Sequence, residues 1–199
     1  MRIFGIVLAG GEARRMSGAE KCLLEISGKP ILAHLIARLS PQVERLALSA
    51  NGDSARFAEF NLAVLADRPS PLGEGPLAGV LAGLEWAAAE KADALLSVPG
   101  DTPFLPASLV DRLAEPLKDD GIRCAVASSG GQIHPVISLW KMECRAPLGQ
   151  ALARGERKVR AVQAMLGAVE VAFEIGGHDP FRGVNTPEDF AALRNYPAD

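Results

Sequence analysis

Ile3-Phe4-Gly5-Ile6-Val7-Leu8-Ala9 runs directly into Gly10-Gly11-Glu12-Ala13-Arg14-Arg15-Met16-Ser17-Gly18-Ala19-Glu20-Lys21. The first seven residues form a short, continuous apolar run with no polar alternation, the pattern of a strand buried on both faces. Gly10 to Gly18 reads as a glycine-rich, basic loop. Glycines let backbone approach a ligand closely and turn N–H groups inward, which favours phosphate. Arg15 and Lys21 can neutralise a triphosphate. The loop fits neither GxGxxG nor GxxxxGK[ST], because Lys21 is followed by Cys22. By itself it would serve equally well as a solvated surface loop.

Reading outward, strands and helices alternate. Pro30 to Leu39 carries apolar residues at helical spacing, with proline near the start. Val43 to Ala50 is the next expected strand, and Asn51-Gly52-Asp53 a turn, with Asp53 or Ser54 placed to cap a helix reaching about Phe60. Leu62 to Ala66 is a third apolar run. Leu77, Val80, Leu81, Leu84 and Ala88 predict a core-facing helix. Ala92 to Val98 predicts a fourth strand, and Pro106 to Lys118 a helix. Arg123 to Ser128 and Ile133 to Trp140 predict two strands around Ser129-Gly130-Gly131. The remainder reads as mainly helical, with a short strand near Val169 to Phe173. The expected architecture is α/β: a doubly wound, mostly parallel sheet with one antiparallel strand, in a single domain over residues 1–199.

In such sheets ligands bind outside the carboxyl ends of the strands. The residues just after the first four strands therefore matter most. Asp101, in Pro99-Gly100-Asp101-Thr102-Pro103, suits Mg²⁺, which takes one or two carboxylates plus phosphate oxygens; it could equally cap its own turn. Asp67 could accept from the N1–H and N2–H₂ edge of guanine, or simply open a loop beside Arg68. Asn51 could reach base or ribose, or belong to a plain turn. Gly79 and Gly83, four apart, leave one small helix face for close packing, and that helix begins at a usable anion site. His34 reads as structural, and His134 as lying on or near a strand. His178 sits in a GGHDP loop. Cys22 reads as a small buried residue rather than a nucleophile.

Composition narrows the field. Of the 199 residues, 48% are hydrophobic and 23% charged, and the net charge is −3. No basic surplus points to nucleic acid or anionic lipid. Cys22, Cys124 and Cys144 are odd in number and far apart, which suggests neither a disulfide framework nor zinc and fits a reducing cytoplasm. The amino-terminal run is too short for a membrane span and lacks the features of a signal peptide.

LAGGEARRMSGAEKCLLEISGKPIL, GPLAG, PGDTPFLP, HPVISLW and VNTPEDF, in that order, are similar to the sequence blocks of the molybdenum cofactor guanylyltransferases. The resemblance runs from Ile3 to about Phe190. It implies a nucleotide-diphospho-sugar transferase-like fold and Mg²⁺-dependent transfer of GMP from GTP to molybdopterin. It implies GTP contacts at Leu8, Ala9, Gly10, Gly11, Lys21, Asn51, Asp67 and Asp101, with Asp101 also on Mg²⁺. Arg15 matches the family's loop arginine, and Asn185 an asparagine near the cofactor end of the cleft. The catalytic set it implies is Arg15, Lys21 and Asp101. Ser17, Glu20 and Gly183 depart from the usual glycine, aspartate and asparagine. A monomer is expected, in transient contact with proteins that supply or receive the cofactor, and with neither nucleic acid nor membrane as partner. Two alternatives stay open: a transferase using CTP on the same cofactor or a sugar phosphate as acceptor, and a non-catalytic adaptor that only binds nucleotide or cofactor.

Overall fold

The computed structural model describes residues 1–9, 21–66, 75–177, 179–184, 186 and 189–190. Among the described residues seven strands form one sheet: β1 (Ile3–Leu8), β4 (Arg45–Ser49), β5 (Ala63–Leu65), β6 (Ala94–Pro99), β7 (Cys124–Ser129), β8 (Gln132–Lys141) and β9 (Val169–Phe173). Their order is β5-β4-β1-β6-β8-β7-β9. Only β8 runs against its neighbours, pairing antiparallel with both β6 and β7. The expected single antiparallel strand is therefore present.

Helices cover both faces because the central strands β1, β4 and β6 are apolar on both sides. On one face Val7, Leu48, Leu96 and Val98 pack with Leu32, Leu35 and Leu39 of α1 (Ile31–Leu39), and with Leu109 and Leu113 of α3 (Leu109–Ala114). On the other, Phe4, Ile6, Ala47 and Leu95 pack with α2 (Pro76–Ala89), α4 (Arg145–Ala153) and α5 (Val159–Met165). Each such leucine or isoleucine taken from water stabilises the fold by about 2 kcal/mol before entropy is counted. Among the described residues no helix is long and apolar enough to cross a membrane.

Gly79 and Gly83 seat α2 flush on the sheet. A Cβ on Gly79 would lie 2.5 Å from Ser49 Oγ and 2.8 Å from Leu8 Cδ2; one on Gly83 would lie 2.9 Å from Leu95 Cδ2. The small helix face read from the sequence is thus a close-packing face, and it draws the first turns of α2 to the strand ends.

Two local expectations are corrected, and one element is new. The helix expected over Pro106 to Lys118 is shorter: α3 begins at Leu109 and ends at Ala114, followed by a single 3₁₀ turn over Pro116–Lys118. Pro116 has no N–H and its ring clashes with the preceding helical turn. The helix expected after Asp53 is a 3₁₀ segment, Ser54–Phe60, in which Asp53 does cap by accepting from the Ala55 N–H at 2.9 Å. A hairpin of β2 (Glu25–Ile26) and β3 (Lys29–Pro30) was not expected. Its turn is Ser27-Gly28, both in the left-handed region at φ 52° and 76°, as a tight two-residue hairpin turn requires.

Candidate active site

Four parallel strands end level. Leu8 is paired with Ser49 on one side and Pro99 on the other, and Ser49 with Leu65. Asn51 and Asp101 each lie two residues beyond their strand, so they stand on the same rim. Gly10 and Asp67 have the same offset in the sequence but lie outside the described residues, as do Gly11, Arg15 and Asn185.

The rim is tied together by backbone. Ala9 N–H donates to Ser49 O at 2.9 Å, Ala50 N–H to Leu65 O at 3.0 Å, and Gly100 N–H to Leu8 O at 3.0 Å. Gly100 is a glycine for lack of room: a Cβ there would meet Leu8 O at 3.2 Å, Ala9 Cα at 3.3 Å and Cys22 Cβ at 3.4 Å. Those neighbours bring the end of β1, the turn after β6 and the 3₁₀ turn Lys21–Leu23 into one place. Leu8, Ala9, Lys21 and Asp101 therefore converge. Cys22 is buried in this junction as a small spacer.

Asp101 is held at both ends. Its carbonyl accepts from Val184 N–H at 2.9 Å, and its Oδ1 from Thr102 Oγ1 at 3.4 Å. Burial pushes its carboxyl above the usual carboxylate range, against the pull of the Lys21 charge and of its own backbone N–H and Thr102. A carboxylate short of solvation, with a cation beside it, is poised to take up further positive charge. Asn51 belongs to a turn fastened by Arg56, whose Nη2 donates to Asn51 O at 2.6 Å and whose Nη1 donates to Asp53 O. Sequence reading missed this arginine clasp, because an arginine five residues past a turn carries no signature.

Asp101 opens into a cleft of about 390 Å³ whose other lining residues include Thr102, His134, Asp179, Phe181 and Arg182. Of this second wall the sequence reading anticipated only Gly183 and Asn185, through the resemblance, and none of the side chains from β8. The wall is made by β8 and by the segment 179–184, which returns from the far end of the chain. His134 lies on β8 as expected, and its ring sits 4.9 Å from that of Phe181. His34 is structural as read: its Nε2 is 2.8 Å from Ile26 O, joining α1 to the small hairpin. His178 lies outside the described residues.

A family model described as MobA-like NTP transferase domain matches residues 5–169. The chain belongs to this family. A molybdenum cofactor guanylyltransferase of Cereibacter sphaeroides is 48% identical over 191 residues, covering 96% of this chain and 95% of its own length. Relatives of the same name from Mesorhizobium japonicum and Rhodopseudomonas palustris are 48% and 50% identical, over 95% and 94% of this chain and 93% and 90% of theirs. Among solved structures, molybdopterin-guanine dinucleotide biosynthesis protein A of Archaeoglobus fulgidus superposes with a TM-score of 0.74 at 19% identity, covering 96% of each chain. A 4-diphosphocytidyl-2C-methyl-D-erythritol synthase of Anaerococcus prevotii gives 0.75 at 13% identity, over 96% of this chain and 94% of the other. These two show the nucleotide-diphospho-sugar transferase type of fold.

Proposed function

We propose that this protein transfers GMP from GTP to the molybdopterin cofactor, giving the guanine dinucleotide form and pyrophosphate. The observation that carries the reading is the junction at Gly100, where the ends of β1 and β6 meet and bring Lys21 and the partly buried Asp101 to one rim. Relatives named for this activity match nearly the whole chain.

In this reading the triphosphate lies along the rim, and the acceptor enters by the cleft beyond Asp101. A phosphate oxygen of molybdopterin attacks the α-phosphorus of GTP in line. The bond from that phosphorus to the bridging oxygen breaks, and pyrophosphate leaves with the electron pair. The attacking phosphate monoester is already anionic, so no side-chain nucleophile is required. The chain's work is to position two anions and neutralise them. Lys21, with Arg15, faces the charge that grows on the pyrophosphate side. Asn51 and Asp67 hold the base and ribose, and Asp67 selects guanine by accepting from its N1–H and N2–H₂.

The donor set suits Mg²⁺. Among the described residues no three His, Cys, Asp or Glu side chains cluster as a protein cage would need. Mg²⁺ asks for less, one or two carboxylates with phosphate oxygens and water, and Asp101 is an under-solvated carboxylate at the strand-end side of the cleft. Asp101 would hold the ion, which when bound lends positive charge to the triphosphate oxygens.

Thermal stabilisation by GTP, CTP, ATP and UTP, each with Mg²⁺ and with EDTA, tests the reading. A shift selective for GTP and dependent on Mg²⁺ is expected. A CTP-selective shift would move the chain to cytidylyl transfer and remove the role given to Asp67. A cofactor adaptor would bind without releasing pyrophosphate.

A further inference from the structure

The cleft has a wall that the nucleotide leaves unexplained. Ser129, the last residue of β7, is buried at 2% exposure. Its hydroxyl lies 2.7 Å from Asp179 Oδ1 and 2.7 Å from His134 Nε2. A hydroxyl has one hydrogen to donate, and a carboxylate only accepts. Ser129 therefore donates to Asp179 and accepts from His134, which places the imidazole hydrogen on Nε2. In the neutral ring Nδ1 is then a bare acceptor.

Several contacts hold that arrangement. Burial lowers the pKa of His134 more than nearby Asp179 raises it, which favours the neutral ring. Phe181 packs on the imidazole, stands edge-on to Phe173 at 5.0 Å, and donates its own N–H to Asp179 Oδ1 at 3.0 Å. Nδ1 has no hydrogen-bond partner among the described residues, while the ring lines the same cleft as Asp101. A bare lone pair repels a phosphate. It suits a ligand edge that offers N–H.

We propose that His134 is an acceptor-specificity residue whose Nδ1 takes a hydrogen bond from an N–H of the acceptor's nitrogen heterocycle, with Ser129 and Asp179 as positioning residues that fix the tautomer. The inference rests on the guanylyl-transfer reading, in which the acceptor carries a reduced pterin with several ring and amino N–H groups. It adds a side chain that recognises the heterocycle, separately from the groups that neutralise phosphate.

The test combines spectroscopy and kinetics on the full chain. In ¹⁵N-labelled protein the His134 imidazole should show hydrogen on Nε2 and a bare Nδ1. Adding metal-free molybdopterin should shift Nδ1, and adding GTP alone should not. His134→Gln keeps a donor for Ser129 Oγ but has no atom at Nδ1. It should raise the KM for the acceptor about tenfold, the usual cost of one hydrogen bond in a desolvated site, with the KM for GTP unchanged. Ser129→Ala should give a mixture of tautomers and a smaller rise. A His134→Gln variant with the wild-type acceptor KM, or an Nδ1–H tautomer in the free protein, overturns the proposal. Wild-type turnover separates the two readings. If wild type releases pyrophosphate and His134→Gln matches it, only this proposal falls; if wild type releases none, both fall.

Discussion

The two halves of the sheet are built by different means. In β5-β4-β1-β6 the strands are parallel, their ends are level, and the contacts that set the rim are backbone hydrogen bonds and glycine close approaches. In β8-β7-β9 one strand is reversed and the interior holds polar side chains. Ser97, at the seam, donates to Val136 O at 2.7 Å and accepts from Trp140 Nε1 at 2.9 Å. Gln163 donates to Pro135 O and to Ser138 Oγ, each at 2.8 Å. The first half presents backbone and a few charges to a ligand. The second presents oriented side chains. A reaction that joins a nucleotide to a different molecule uses both kinds of surface, one to hold phosphates and one to recognise the partner.

Mutations can break this contrast. The largest effect is expected at the seam, where Asp101 serves both halves. Asp101→Ala should lower kcat by about a thousandfold, the scale seen when a charge-stabilising group is lost. Lys21→Ala should cost about a hundredfold and also weaken GTP binding. Steady-state pyrophosphate release reads both, and near-normal turnover of Asp101→Ala at saturating Mg²⁺ would remove that residue from the mechanism.

Next comes Ser97→Ala, which leaves Trp140 Nε1–H and Val136 O without the hydroxyl that joins them. Orphaned buried polar groups make this about a 3 kcal/mol loss of stability, measured by urea unfolding. A loss as small as that of a surface alanine substitution would mean the polar half is not held by this network. Gly79→Ala probes the other half, where a Cβ must fit 2.5 Å from Ser49 Oγ. Overpacking there should cost about 2 kcal/mol and displace the first turns of α2 from the rim. GTP affinity should therefore fall with stability, a coupling Ser97→Ala should lack.

The smallest effect is a gain. Burial raises the Asp101 pKa in the folded chain. A group so shifted favours folding below its unfolded pKa of about 4 and loses that contribution as pH rises through the folded value. Asp101→Asn should therefore match wild type in acid and melt at a higher temperature near neutral pH, while remaining inactive. A variant that melts lower across the whole range would contradict the sign.

The same contrast explains how much could be read in advance. The parallel half is local: apolar runs mark its strands, and Asp101, Asn51 and Asp67 stand out because each comes just after a strand end. The helix expected over Pro106 to Lys118 runs through Pro116, which stops α3 at Ala114. The β2–β3 hairpin was passed over because Ser27-Gly28 is a weak mark between two-residue strands. The polar half is written in long-range pairs. Ser129 meets Asp179 across 50 residues, and Ser97 meets Val136 across 39. No spacing rule in a single sequence signals such a contact, so the His134 wall came only with coordinates.

The most direct test of the central claim is pyrophosphate release by the purified chain with molybdopterin, Mg²⁺ and each of the four nucleoside triphosphates in turn. The account predicts release with GTP far above the others, only when molybdopterin is present, and none from Asp101→Ala. Release favouring CTP, or GTP binding with no release in the presence of acceptor, would contradict it.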